Sequence, residues 1–320
     1  MVRYVGKRAL QTVIVLLLSS VIVFALVRAM PGNPAEQLDG TSATAKELAA
    51  TARVLGLDRP IFIQYGIWVG RLLRGQLGMS LTDHVAVATL IGQAFVPTLW
   101  LLCGAMFIAV IIGFGLGLAG AWSKGRLLDT LLSGVMSVLY GAPAMWVGLL
   151  ALLAFAVRLH WFPPDGFVSP LHHPLAGLKS LALPSTVLGL GIGGIEGRFV
   201  RSGLSEAMTR EYVLVARAKG CPRWRVLVVH ALRNSLMPIV TTYGLNFAYL
   251  LGGSVVIEVV FTWPGIGNLL ENSITTADYP TIQALMMIFV AIFAVVNLVT
   301  DLLYGVIDPR VRQQTAEAAG

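Results

Sequence analysis

Charge is what this sequence has least of. Only 12% of its 320 residues are Asp, Glu, Lys or Arg, about half of the roughly 25% usual in soluble domains. The shortage is concentrated: residues 9–27, 84–123, 130–157, 180–195, 234–257 and 279–300 contain none of the four. A chain of this length could form two soluble domains, but six uncharged runs exclude that arrangement. Crossing a hydrocarbon core of roughly 30 Å takes about 20 helical residues, with ~17–25 the usual range. Five of the runs reach that length, and 180–195 must extend into its flanks. Backbone in lipid must satisfy its own hydrogen bonds, so these runs are expected to be helices. The strict alternation of a porin-type barrel is absent from them.

Other absences narrow the function. Cys103 and Cys221 are the two cysteines, too few for a disulfide framework and without metal-type spacing. No G-x-x-x-x-G-K-[ST] loop is present, so the chain is not expected to bind or hydrolyse ATP. Neither H-E-x-x-H nor G-x-S-x-G occurs. Gly189, Gly191 and Gly194 do match G-x-G-x-x-G, but they lie inside an apolar run with no strand before them. With Gly113 and Gly117, they are expected to let helices approach closely. His160, His172 and His173 share the 158–179 loop, yet no carboxylate or cysteine stands with them at ligand spacing. An ordinary surface loop is expected there, and no metal.

The charge that remains points to topology. Segments 1–8, 124–129, 196–233 and 308–320 hold 15 of the 23 basic residues, whereas the short loops 158–179 and 263–278 hold only Arg158 and Lys179. Excess Lys and Arg marks the cytoplasmic side, so both termini are expected there. The net charge of +7 is accounted for by topology and by anionic membrane lipid, and calls for no nucleic-acid partner. The uncharged run after Arg8 is 19 residues long, beyond the ~7–15 of a signal-peptide core, and is expected to stay as the first helix.

Four pieces follow from this reading. Residues 1–30 are a cytoplasmic N-terminus and first span, 31–96 an extracytoplasmic loop, 97–310 the membrane core and 311–320 a cytoplasmic tail. In the loop, Ala43–Leu55 is rich in helix formers. Ile61, Tyr65, Trp68, Val69 and Leu72 then recur at helical spacing, a face that could lie along the membrane or pack on the bundle. The segment 198–235 is the most informative. Leu204, Met208, Tyr212, Val215 and Ala218 follow one helical repeat over 203–220, and Gly220 then Pro222 end it. Trp224–Leu232 continues as a second helix towards Pro238. Such a pair could fill a partner's groove or lie on anionic lipid. Polar residues in or near the spans are Glu196, Asn246, Glu258, Asn297 and Asp301, and such groups often face a bundle interior or an aqueous path. Asn246, Glu258 and Asn297 are the candidates for lining a path, while Glu258 and Asp301 lie near span ends from which they could snorkel.

The run Glu211-Tyr212-Val213-Leu214-Val215-Ala216-Arg217-Ala218-Lys219-Gly220, followed by His230-Ala231-Leu232-Arg233-Asn234-Ser235-Leu236-Met237-Pro238, resembles the EAA loop of ABC importer permeases for dipeptides, oligopeptides and nickel. Met30-Pro31-Gly32-Asn33-Pro34, Leu55-Gly56-Leu57-Asp58-Arg59-Pro60, Gly75-Gln76-Leu77-Gly78-Met79-Ser80, Phe261-Thr262-Trp263-Pro264-Gly265-Ile266-Gly267 and Asp308-Pro309-Arg310 extend the likeness over the whole chain. Leu214-Val215 stand where the general pattern has Glu-Ala. The resemblance implies an all-α membrane protein of six transmembrane helices with the type I importer permease fold. It also implies an inner-membrane location, a homologous second permease subunit and one or two ATPase subunits that carry ATP and Mg. An extracytoplasmic substrate-binding protein would deliver a di- or oligopeptide; nickel, glutathione or another small solute is the alternative, and a secondary transporter a more distant one. Arg210, Glu211, Tyr212, Ala216, Arg217, Ala218 and Gly220 would form or flank the helix that docks on the ATPase. On that expectation Ala216→Asp would obstruct docking and leave the spans intact. The topology is checked by an impermeant thiol reagent on intact cells: a cysteine placed at Thr44 is expected to react without lysis.

Overall fold

The computed structural model describes residues 2–30 and 58–307. The expected helix at 43–55, the turn at 31–34, and Asp308, Pro309 and Arg310 lie outside the described residues. Among those described there is no strand, only an isolated antiparallel bridge between Met79 and Ala86. The helices are α1 (Val2–Ala29), α2 (Ile61–Leu73), α3 (Val87–Trp122), α4 (Leu127–Gly141), α5 (Ala144–Ala151), α6 (Pro174–Ala207), α7 (Glu211–Ala218), α8 (Leu232–Val260), α9 (Ile266–Thr275) and α10 (Tyr279–Ile307). A π-helical turn, Leu152–Arg158, prolongs α5, and another, Val226–Ala231, precedes α8.

Among the described residues five helices are long and apolar enough to cross a membrane: α1, α3, α6, α8 and α10. The short run at 180–195 does extend into its flanks, since α6 has 34 residues. The expected third span departs from a single rod. It is α4 followed by α5 and its π-turn, bent by 96° at the break. Pro143 is the cause: it has no N–H to give, and it drives the preceding residue out of helical geometry. Ala142 accordingly sits at φ −74°, ψ 128°. Counted as one broken span, the pair brings the total to six.

Two compact units divide the chain, Met1–Thr98 with Pro264–Leu298, and Leu99–Trp263 with Val299–Gly320. In the first, Asp278 is buried just before α10. Its carboxylate accepts from Ser80 Oγ and Thr281 Oγ1, each at 2.6 Å, and from the Leu81 amide at 3.1 Å. A carboxylate at a helix N-terminus is favoured by the free amides and the helix dipole. Here it also fastens the tight loop that Val87 N–H···O=C Gly78 (3.1 Å) closes. Val27, Tyr279 and Ile282 pack beside it with Leu81, Leu270 and Met286.

In the second unit α6 is central and packs against α4, α5 and α8. Its approach to α3 and α4 depends on missing side chains. A Cβ on Gly189 would lie 2.6 Å from the Ala105 carbonyl oxygen, and one on Gly193 2.9 Å from Ile112 Cβ. At Gly194 it would meet the Met136 carbonyl at 2.8 Å and the Tyr140 nitrogen at 3.0 Å, both backbone atoms. Gly189 and Gly194 therefore serve close helix packing, as the sequence suggested, whereas Gly191 faces open space and does not. A methyl group at Gly194 is expected to cost about 1–3 kcal/mol as overpacking and to lower the melting temperature of the purified protein in detergent. Gly191→Ala is the matched control: nothing lies within 4 Å of that position, and alanine is the better helix former by ~1 kcal/mol.

Candidate coupling segment

The segment from Ala207 to Ser235 is built in three steps. Helix α6 ends where the Met208, Thr209 and Arg210 amides turn back to Leu204, Glu206 and Ala207 carbonyls. Arg210, in extended geometry, then starts α7. Glu211 in the first turn and Arg217 in the last complement the helix dipole. The expected continuous helix over 203–220 is thus two helices with a turn at 208–210. At its far end α7 closes with a Schellman pair: Gly220 N–H to Arg217 O (2.9 Å) and Cys221 N–H to Ala216 O (3.1 Å). The motif needs a left-handed residue between them, and Gly220 has φ +79°. Pro222 then opens the turn Arg223–Arg225, and the π-turn leads without interruption into α8. Pro238 lies inside α8 rather than before it.

Side chains sort differently from the apolar repeat. Val213 and Ala216 are the buried residues of α7, packed with Val226, Met208 and Cys221. Tyr212, Leu214, Val215 and Ala218 are exposed, as are Glu211, Arg217, Lys219 and Gly220. Ala216, expected to form or flank the ATPase-docking helix, lies on the buried side of α7 rather than its exposed side. An aspartate there would enter α7's own packing, so Ala216→Asp tests stability rather than docking. Arg210 is exposed and ion-pairs with Glu206 at 2.5 Å, an arrangement worth little in water.

Polar contacts hold together the helix ends from which this segment hangs, and Arg223 and Ser235 tie the segment itself to them. Arg201 grips Asp129 through two parallel bonds, Nε to Oδ1 at 2.6 Å and a terminal guanidinium nitrogen to Oδ2 at 2.9 Å. The Gly125 amide adds a third at 3.2 Å. The Arg201 stem lies against Gly120, where a Cβ would come within 2.8 Å of Cδ. Arg223 donates to the Trp122 carbonyl at 2.6 Å while its guanidinium sits 4.9 Å above the Trp122 ring. Lys124 Nζ reaches the Ser205 carbonyl at 3.5 Å, and Ser235 Oγ the Gly203 carbonyl at 3.2 Å. The ends of α3, α4 and α6 and the start of the α8 limb are thereby held together. Asp129, Arg201, Trp122 and Arg223 were not among the residues singled out from sequence. Their partners lie 72 and 101 positions apart, and no local pattern records such pairs.

Higher in the same unit α6 and α8 are joined by a buried carboxylate. Glu196 is fully enclosed and accepts from Thr242 Oγ1 at 2.8 Å and Asn246 Nδ2 at 2.6 Å. Tyr243, alongside, stacks on Phe114 and donates to the Ala109 carbonyl at 3.3 Å. Asn246, a candidate for lining a path, therefore has its amide committed to Glu196. Glu258 does not snorkel: it is fully buried, and the Trp263 amide bonds its carbonyl at 2.7 Å. Asn297 lies in the other unit, half-buried on α10. Among the described residues no group of three His, Cys, Asp or Glu side chains could hold a metal. What the segment offers is mechanical: an exposed short helix with a sealed underside, in a stretch tied to α3 and α6 near their ends.

Known proteins match this sequence. The family model for the binding-protein-dependent transport system inner membrane component covers residues 109–313, and the N-terminal model for such membrane components covers 1–101. The glutathione transport system permease proteins GsiC of Salmonella typhimurium (strain LT2) and Escherichia coli (strain K12) are each 38% identical over 312 residues. The match covers 98% of this chain and 99% of theirs. For the clamp, a double-mutant cycle of Asp129→Asn and Arg201→Met on thermal unfolding is expected to give a coupling of about 1–2 kcal/mol. A coupling indistinguishable from zero would remove the pair from the clamp.

Proposed function

This chain belongs to the inner-membrane components of binding-protein-dependent transport systems, a multi-pass permease subunit of an ABC importer, and we propose that it lines a path for small peptides together with a homologous second permease subunit. An extracytoplasmic substrate-binding protein delivers the di- or oligopeptide. One or two ATPase subunits, which hold ATP and Mg, supply the work, and this chain hydrolyses nothing itself. The naming of its relatives for glutathione, a tripeptide, favours a peptide-class solute over nickel.

In this reading α7 is the element on which the ATPase docks. The observation that carries it is the two-sidedness of α7: Val213 and Ala216 are sealed against the bundle while Tyr212, Leu214 and Val215 are exposed together. An apolar helix face of this size beside Arg217, Lys219, Arg223 and Arg225 suits a partner's groove with an acidic rim. Docking places the segment in the cytoplasm, with both termini, and the 31–96 loop outside. Movement of the ATPase pair then passes through the clamp at Asp129–Arg201 and Trp122–Arg223 to the helix ends, rather than being lost in a flexible loop.

The test separates docking from folding. Val215→Asp lies on the exposed face, so the protein is expected to reach the membrane at wild-type level with its melting temperature unchanged. ATPase subunits should fail to co-purify, and peptide uptake should be lost. Gly220→Val forces a β-branched residue into left-handed geometry at a cost of about 1–3 kcal/mol and should weaken both. Val215→Asp protein that co-purifies with the ATPase and transports at wild-type rate would sink the assignment of α7.

A further inference from the structure

Helix α2 is only 13 residues long, yet none of them is buried. Phe62 and Leu73 are 86% and 82% exposed, and Ile61 and Ile63 are about half exposed. A helix so apolar, with so little protein cover, needs a non-aqueous surrounding, since patches of this kind mark interaction sites. Its arrangement around the axis says which. At 3.6 residues per turn, Tyr65, Trp68 and Leu72 share one flank, Phe62, Gly66, Leu73 and Ile63 a second, and Gln64 and Arg71 an edge roughly 150° from the second.

The first flank packs on α1. Tyr65 and Trp68 rings lie 5.5 and 5.7 Å from the Phe24 ring, and the Tyr65 hydroxyl is 2.8 Å from Ser20 Oγ. Ser20 already donates to the Leu17 carbonyl at 2.7 Å. A hydroxyl has one proton, so Tyr65 is the donor in the pair. The depth of this contact is set by α1. Arg28 is the first charge after the run 9–27. Phe24 and Ser20 therefore lie about 6 and 12 Å inside it at 1.5 Å per residue. The tyrosine reaches down from the level of Phe24, where Arg28 turns back over the same ring, 5.5 Å from its centroid. That level matches the ~5–10 Å at which interfacial amphipathic helices settle.

We infer that α2 is an interfacial membrane helix, its Phe62–Leu73 flank sunk among the acyl chains of the leaflet that surrounds the C-terminal half of α1. The occupant of the flank is lipid. The supporting helix α1 likewise exposes Leu17, Leu18, Val21, Ile22 and Leu26, an apolar surface of the kind that lipid covers. The charges sit where the boundary demands: Arg59 precedes the helix, Arg71 lies on the polar edge and Arg74 caps the end, each able to snorkel to headgroups. Gly66 and Gly70 face open space, consistent with a fluid neighbour. The face that the sequence picked out packs through Tyr65 and Trp68 on α1, and the lipid-facing flank is a second one that the helical repeat did not single out.

Site-specific quenching tests this in the full chain, co-purified with its transporter partners and placed in phosphatidylcholine nanodiscs. Phe62→Cys, Leu73→Cys and Arg71→Cys are each labelled with a nitrobenzoxadiazole fluorophore in a Cys103→Ser, Cys221→Ser background. With acyl-brominated phosphatidylcholine, emission at positions 62 and 73 is expected to fall about two-fold or more, as for a helix seated in the boundary. Emission at 71 should hold, and aqueous iodide should quench 71 alone. Iodide quenching at 62 and 73 without bromolipid quenching would place the flank in water. No quenching there by either agent would mean that protein covers it. Either result overturns the inference.

Discussion

Helix α6 lies among α3, α4 and α8 at distances that no side chain larger than hydrogen would allow at Gly189, Gly193 and Gly194. Lipid tails are as apolar as leucine, so burying hydrocarbon does not pull membrane helices together; close backbone contact and a few well-placed hydrogen bonds do. Gly189, Gly193, Gly194 and Gly197 supply the contact. Glu196, set between two of these glycines, supplies the bonds, to Thr242 and Asn246. A carboxylate in such surroundings is costly unless its oxygens are matched, and the match fixes the rotation of α6 against α8. The rest of the second unit follows from that seam.

The same two helices end at the segment that carries α7. A force applied to α7 meets a folded unit rather than a loop, because Val213, Ala216 and Val226 seal it below, Arg223 ties the following turn to Trp122, and Arg201 holds the preceding helix to Asp129. Arginine suits both ties: a planar fork matches Asp129 bidentately, and the same plane lies over the Trp122 ring. The π-turn at Val226–Ala231 sits between this clamp and α8, and wide turns of this type recur at functional positions in helices.

Much of this architecture was legible in the sequence, for identifiable reasons. The spans were, because lipid forbids charge over long runs. Gly220 was, because a helix stop is a local event with a local chemical signature. The break at Pro143 was hidden, since an uncharged run from 130 to 157 looks continuous to any measure that averages polarity. The turn at 208–210 was hidden too: Leu204, Met208, Tyr212, Val215 and Ala218 keep helical spacing across it, yet side-chain type does not record the path of the backbone. The pairs Asp129–Arg201 and Ser80–Asp278 join residues far apart in the chain, and nothing local to either partner announces the other. Asp278 itself, before Tyr279 and Pro280, carries the pattern of a helix start, which was available and passed over.

A seam defined by missing side chains also limits how such a protein can change over generations. Nothing can be trimmed from a glycine, so an enlargement on the facing helix cannot be offset by a reduction on α6. At Gly189 and Gly194 the nearest facing atoms are backbone oxygens, which no substitution removes, so replacement there has no compensating partner. Residues on the lipid side obey a looser rule, where one apolar side chain serves as well as another. Variation that adapts the transporter to a new solute or membrane must accumulate away from this line, with the helix packing of the unit carried along unchanged.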